Sequence, residues 1–480
     1  MEDSAHTRGF KNKNPSPDLP PSPSRSRYGR ARQGEGALEP FPLGENERGF
    51  WNYKKKFMIY YSKGSENDVI GLKELEEGLS EALNKLGPRK KVLAVPPDFT
   101  RFHSRAGEIT SLLYKHYGEN LKDILPALGT HVPMTYKELD IMYKGVPKEL
   151  FRVHDWRNDV VTVGTVPGEF VSNITNGALD YSWPAQLNKL VYNGGHDLIL
   201  SVGQVVPHEV IGMANYNKNL FVGTGGPEGI NKSHFVGAVY GMERIMGKAS
   251  NPVRSLLNYA SENFIKHLPV VYILTVIGRD ESCKLVIRGL YIGDDEEAFK
   301  MAAELSIKVN FTLVEKPLKK VVVYLDPSEF KSTWLGNKSI YRTRMAMADN
   351  GELIVIAPAL KEFGEDKEID RLIRKYGYRG TPATLKSLKE NDELQKNLSA
   401  AAHLIHGSSE GRFSITYCPG HLTQQEIESV NFRYHDLNDM LKRYNPEKLA
   451  DGFNTMADGE EIFYISNPAL GLWTSKERLT

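Results

Sequence analysis

The sequence predicts an α/β protein of two α/β domains with mostly parallel sheets. Three observations carry this. Short apolar runs of the kind buried in parallel sheets alternate with helix-period segments. The chain has 480 residues, more than one core of roughly 100 to 200 residues accommodates. A polar, proline-containing stretch at 315–320 separates two such series.

From Met1 to about residue 48 the chain is rich in Pro, Ser, Gly and Arg, with Pro15, Pro17, Pro20, Pro21 and Pro23 close together. So few apolar residues cannot offset the entropy of ordering, and a disordered tail is expected. Order is expected to begin near Phe50. Leu72, Leu75, Leu79, Leu83 and Leu86 share one helical face, and Gly87-Pro88 ends that helix. The strand Lys91–Val95 then runs into Pro96-Pro97-Asp98-Phe99-Thr100-Arg101. The same unit recurs where Ile124–Leu128 leads to Gly129-Thr130-His131, and where Asp197–Val202 leads to Gly203 through His208. After residue 315 a second series reads as the strand Val321–Leu325, a helix from near Gly336, the strand Glu352–Ala357, a helix over Asn391–Ile405 and the strand Phe413–Tyr417. The expected organisation is a tail at 1–48, a first domain at 49–314 and a second at 315–480, whose last segment can return to the first. In open α/β sheets ligands sit beyond the carboxyl ends of the strands, so Arg101, His131 and His208 can converge there.

Bulk properties restrict the partners. Lys and Arg total 61 against 60 for Asp and Glu, so no excess charge attracts nucleic acid or an anionic membrane. No apolar run reaches the roughly 18 residues of a membrane span, and the N-terminus has no signal-like apolar core. The two cysteines, Cys283 and Cys418, have neither disulfide-framework nor zinc-ribbon spacing. A cytoplasmic protein acting on a small molecule is expected.

The candidate chemistry lies at the strand ends. The Arg101 guanidinium is a two-pronged donor suited to a carboxylate or phosphate, with Asp98 and Thr100 beside it; alone, it reads better as an ion pair. His131 and His208 can each take or give a proton near neutral pH, and a histidine on either side of a substrate serves both enantiomers; a lone histidine is more often structural. Gly223, Gly225, Gly226 and Gly229 allow backbone amides to approach a phosphate ahead of a helix, or form an ordinary turn. His154, His196, His403 and His406 lack a helical metal-binding pattern and read as structural.

In order and spacing, these residues resemble the nickel-pincer-nucleotide-dependent lactate racemase family over about residues 70–360. The family's Asp-x-Thr-Arg, Gly-x-His, His, Lys and His elements correspond to Asp98-Phe99-Thr100-Arg101, Gly129-Thr130-His131, His208, Lys218 and His234. The resemblance implies a nickel-pincer nucleotide with Ni(II), tethered by Lys218 as a thioamide and ligated by His234, with Asp98, Thr100, Trp334, Gly225 and Gly226 around it. It implies that His131 and His208 are the alternate acid and base, and that Arg101 and Lys338 meet the anionic substrate. The active site would lie in the cleft between the domains, and partners would be a 2-hydroxy acid and the proteins that build the cofactor.

Three departures stand out. Leu335 replaces the family's Gln beside Trp334, Ala214-Asn215-Tyr216-Asn217 replaces a Ser-Gly-Gly, and the glycine-rich stretch after Ile354 is absent. A pocket altered in its polar contacts points to a substrate other than lactate. Asn215, Tyr216 and Asn217 are expected to meet hydroxyls of a longer acid, such as an aldonate like gluconate epimerised at C2. The competing readings are a short-chain 2-hydroxy acid racemase, a divalent-metal hydrolase using His131, His208 and His234, and a sensor of a nucleotide or hydroxy acid that uses Arg101 and the glycine loop.

Overall fold

The leucine spacing predicts a helix at Leu72–Leu86, and the computed structural model of the protein has that helix with the same bounds. Leu75, Leu79, Leu83 and Leu86 are buried while Leu72 is exposed. Gly87 ends it with φ 72°, a conformation that glycine adopts without a Cβ clash. The structure describes residues 58–282 and 284–479. The tail expected at 1–48, the onset of order near Phe50 and Cys283 lie outside the described residues.

The fold is α/β, with two six-stranded, mostly parallel sheets. The first has the order Ile59–Gly64, Leu285–Gly293, Val270–Arg279, Leu198–Gln204, Val92–Val95 and Leu121–Ile124. The last four strands are mutually parallel and the first two run antiparallel at one side. All four residues of Val92–Val95 are buried, because alternate side chains enter different cores: Val92 and Ala94 join Leu198 and Leu200, whereas Leu93 and Val95 join Ile199. The strand expected at Ile124–Leu128 lies earlier, at Leu121–Ile124. Pro126 has no amide to give a ladder, so beyond Ile124 only single bonds from Leu125 to Ala94 and Ala127 to Pro96 continue the pairing.

The second sheet has the order Arg433–Tyr434, Ser414–Pro419, Met347–Ala357, Leu318–Tyr324, Glu461–Ile465 and Gly452–Thr455. Only its last pair is antiparallel. The helix expected over Asn391–Ile405 is divided into Asp392–Gln395 and Leu398–His406. The Asn397 side chain accepts from the Ala400 amide at 3.1 Å, capping a new helix where an uninterrupted one was expected. Near the C-terminus Trp473–Ser475 pairs in parallel with Thr312–Val314.

Two polar groups link the halves that carry these sheets. Ser399 donates to Asn231 at 2.6 Å, and Glu243 receives both Arg344 and Arg412. They bring the helices Pro227–Tyr240 and Leu398–His406 against one another, setting residues of the second half over the strand ends of the first.

Candidate active site

In the first sheet, Val92–Val95 lies between Leu121–Ile124 and Leu198–Gln204. The chain leaves Val92–Val95 toward one neighbour and later returns to the other, a switch point where strand-end loops diverge and leave a crevice. A cleft of about 420 Å³ opens there. Asp98, Thr100, Arg101, His131, His208, Lys218 and His234 line it from the first half, and Trp334 and Lys338 from the second.

On one wall, Asp98 is 5% exposed. Its Oδ2 is 2.6 Å from His131 Nδ1, and its Oδ1 accepts from Thr100 at 2.5 Å. Burial alone would raise this carboxyl, but the His131 hydrogen bond and charge, the Thr100 hydroxyl and Arg101 together lower it. An ionised Asp98 fixes the proton of His131 on Nδ1 and leaves Nε2 as the acceptor. Thr100 and Asp98 therefore serve His131 first. The Arg101 side chain makes no hydrogen bond or ion pair with a described residue, so the ion-pair reading does not hold for it.

The opposite wall begins with a hairpin in which Pro207–His208 pairs with Gly212–Met213. His208 Nδ1 accepts from the Val210 amide at 3.1 Å, which puts the proton of the neutral ring on Nε2. Burial drives this imidazole well below its ordinary value, with Lys218, Arg101 and His234 pushing the same way against Glu209. The two candidate acid-base histidines thus differ: His131 is half exposed and backed by a carboxylate, whereas His208 is buried.

Lys218 lies on Asn217–Phe221, and burial, then the charge of Arg101, lowers its amine to about 8. His234, on Pro227–Tyr240, donates from Nδ1 to the Ile230 carbonyl at 2.8 Å. Burial and then Lys218 bring it to about 4, so it is neutral with a free Nε2 lone pair. A neutral amine suited to acylation and an imidazole fixed for metal ligation are the donor types that the implied cofactor requires.

The loop before Lys218 corrects one expectation. Asn215 and Tyr216 have φ of 66° and 58°, the region glycine enters freely. Tyr216 is held by stacking on Phe299 and by contact with Tyr272. Asn217 bonds to Arg254 and Asn258, while Arg254 also donates to the Met213 carbonyl at 2.7 Å. Of the three residues expected to meet substrate hydroxyls, only Asn215 lines the cleft; Tyr216 and Asn217 are occupied in holding the loop.

The glycine segment requires a second correction. Gly223 reaches the cleft, but Gly225 and Gly226 are not on its lining. A Cβ on Gly225 would meet the Phe221 carbonyl at 1.9 Å, and one on Gly226 would meet Gln186 Oε1 at 2.5 Å. Close packing of this turn against its own protein explains these two glycines.

From the second half, Trp334 lies against His403 with ring centroids 4.3 Å apart and planes tilted by 32°, and His403 Nε2 is 3.0 Å from the Tyr378 hydroxyl. Lys338, lowered chiefly by burial, stands 4.0 Å from Glu329. Leu335 also lines the cleft. Glu209 and His406 are further lining residues; nothing in their spacing singled out Glu209, and His406 read as structural. His154 bonds to Asn188 and the Gly225 carbonyl, and His196 to Asp123, as structural histidines do.

Among the described residues no group of three His, Cys, Asp or Glu side chains is placed to hold a metal ion. His131, His208 and His234 therefore do not form the ligand set that a metal hydrolase needs. No helix among those residues is long and apolar enough to cross a membrane.

Residues 73–245 match the family described as lactate racemase N-terminal domain. A crystal structure of a Thermotoga maritima protein is similar, with a TM-score of 0.70 and 26% identity over 86% of this chain and 100% of that one. The lactate racemase apoprotein of Thermoanaerobacterium thermosaccharolyticum shares the fold, with a TM-score of 0.63 and 19% identity over 87% of this chain and 94% of that one. No curated protein matches the chain.

Proposed function

Through residues 73–245 the chain belongs to the lactate racemase family, and from that premise we propose that it is an isomerase, a racemase or epimerase of 2-hydroxy acids dependent on a nickel-pincer nucleotide. The observation that carries the reading is the meeting of His131, His208, Lys218 and His234 in one cleft, with Asp98 on His131, the Val210 amide on His208 and the Ile230 carbonyl on His234 orienting the three rings.

Arg101 and Lys338 offer cationic donors to the substrate carboxylate, and their placement on opposite halves suits them to grip it from two sides. His131, fixed by Asp98, presents Nε2 as a proton acceptor, and His208 faces it with its Nδ1 bonded to the Val210 amide. His131 takes the C2 hydroxyl proton of one enantiomer at Nε2 and becomes an imidazolium; His208 takes that of the other at Nε2 once its own ring proton has moved to Nδ1, and each imidazolium returns its proton to the oxygen when the reaction runs the other way. Lys218 would hold the nucleotide by acylation of its neutral amine, and His234 would give Nε2 to nickel. When bound, the cofactor supplies a hydride acceptor for the hydrogen on C2. The partners in this reading are the hydroxy acid and the proteins that build the nucleotide, in the cytoplasm.

Substrates range from short acids such as lactate to aldonates such as gluconate. Leu335 on the cleft wall favours a substrate other than lactate, since it offers no hydrogen bond where the resembling family carries one. Intact-mass and nickel analysis of protein co-expressed with the cofactor pathway tests the reading. Wild type is expected to carry a nucleotide-sized adduct with nickel, lost in Lys218→Ala; a wild type without adduct or nickel despite a working pathway would refute it. Substrate deuterated at C2 is expected to keep its label in the product, whereas complete washout into solvent would indicate carbanion chemistry instead.

A further inference from the structure

His403 and His406 lie one turn apart on the same helix and are 7% and 6% exposed. His403 is satisfied by Tyr378 and covered by Trp334. His406 is not: its buried Nε2 has no hydrogen-bond partner, although the residue is on the cleft lining. Elsewhere on that lining Glu209 Oε2 is also buried without a hydrogen bond, 3.9 Å from Nδ1 of the neutral His208 ring. A buried polar atom left unpaired costs stability; of the eight such side-chain atoms among the described residues, those of Gln204, Glu209 and His406 are on residues that line this cleft.

The two atoms differ in what they accept. An ionised carboxylate only accepts hydrogen bonds, whereas a neutral imidazole nitrogen donates or accepts according to its tautomer. The Glu209 carboxyl is held low against its own burial by His208 and Arg342, and its charge reaches His406. A hydroxyl suits either atom, giving its proton to Glu209 or pairing with the His406 nitrogen as donor or acceptor. A methyl group would satisfy neither, and a second carboxylate would be repelled by Glu209. Arg101, whose side chain pairs with no described residue, and Lys338, loosely paired with Glu329 at 4.0 Å, line the same cleft and offer their charges to the single carboxylate.

We propose that Glu209 and His406 form a subsite for a hydroxyl group on the substrate's carbon chain beyond C2, so that the preferred substrate is a polyhydroxylated monocarboxylate. This rests on the 2-hydroxy acid reading above and narrows it to one class.

Lactate and glycerate differ by one hydroxyl on C3, and malate adds a carboxylate. Calorimetric titration of each into the full chain, purified from the co-expression described above, reads the subsite directly. Glycerate is expected to bind at least about tenfold more tightly than lactate, and malate more weakly than glycerate. His406→Phe, which keeps a ring in the space, is expected to remove the glycerate advantage and leave lactate binding unchanged. Glu209→Gln, which removes the charge but little volume, is expected to reduce that advantage and to admit malate. Equal binding of lactate and glycerate by wild type overturns the proposal, as does an equal loss of both ligands in the two variants when their melting temperatures match wild type. A glycerate preference without interconversion would leave the subsite standing and refute the racemase reading. Interconversion without the preference would do the reverse.

Discussion

The carboxylate of Asp98 lies 2.6 Å from Nδ1 of His131, a contact between residues 33 apart in the chain that follow the parallel strands Val92–Val95 and Leu121–Ile124. Asp98 sets the tautomer and direction of a ring that is otherwise half exposed. Asp98→Asn, which cannot hold that tautomer in the same way, is expected to lower turnover of the cofactor-loaded enzyme by about 100-fold or more while leaving the fold intact. His131→Ala and His208→Ala are each expected to abolish interconversion and to retain the Lys218 adduct. Steady-state kinetics with intact-mass measurement on the same samples checks both statements. Near-normal turnover in either alanine variant would remove that histidine from the mechanism.

Lys218 should behave as a reactive amine at a pH where ordinary lysines do not. Its lowered value of about 8 means the neutral form dominates above that pH, whereas an ordinary lysine in water is neutral only above roughly 10.4. Trace acetylation of protein made without the cofactor pathway, followed by peptide mass spectrometry across pH, is expected to show Lys218 labelling level off above about 8. Labelling of an unstructured lysine-containing reference peptide added to the same reaction should keep rising. Arg101→Gln removes a positive charge that lowers Lys218 and is expected to move its inflection upward.

Arg254 holds the loop that delivers Lys218. It is 1% exposed and donates to Asn217 and to the Met213 carbonyl, with its guanidinium 4.3 Å from the Phe299 ring centroid. Arg254→Leu would leave those acceptors unpaired and is expected to cost about 3 kcal/mol of stability. Denaturant unfolding measures the loss. Acetylation of Lys218 in folded variant protein is expected to lose its inflection near 8, because the loop no longer keeps the amine in its pocket.

Acid should destabilise the protein through its buried histidines. His234 is lowered to about 4, and His403 and His406 to about 3, each chiefly by burial. Between those values and the ordinary 6.5, the unfolded chain binds protons that the folded chain does not. Stability therefore rises with pH through this window and is lost as pH falls from about 6.5 toward 3. Melting temperatures across that range are expected to fall with acid, and His406→Phe should flatten the slope. An unchanged slope in that variant would mean His406 is not withdrawn from water.

How far the sequence could be read depends on how local each determinant is. The Leu72–Leu86 helix was legible because leucine periodicity and Gly87-Pro88 lie within a single segment. The strand Val92–Val95 and its polar end were legible for the same reason. Strand bounds near Pro126 and the break at Asn397 were missed: the first depends on which residues find a ladder partner, the second on a side chain capturing an amide. The roles of Tyr216 and Asn217 were misread because nothing local reveals that Phe299 and Arg254 wait across the core.

By itself, the sequence determined the alternation of strands and helices, the polar residues at strand ends, and the spacing of His208, Lys218 and His234 that matches a known family. Each of these is a property of neighbours along the chain. Only the tertiary structure decided that Asp98 serves His131, that Gly225 and Gly226 serve packing, and that Glu209 and His406 share a cleft. Those outcomes depend on which side chains meet across a distance in sequence, and on whether a buried polar atom finds a partner when they do.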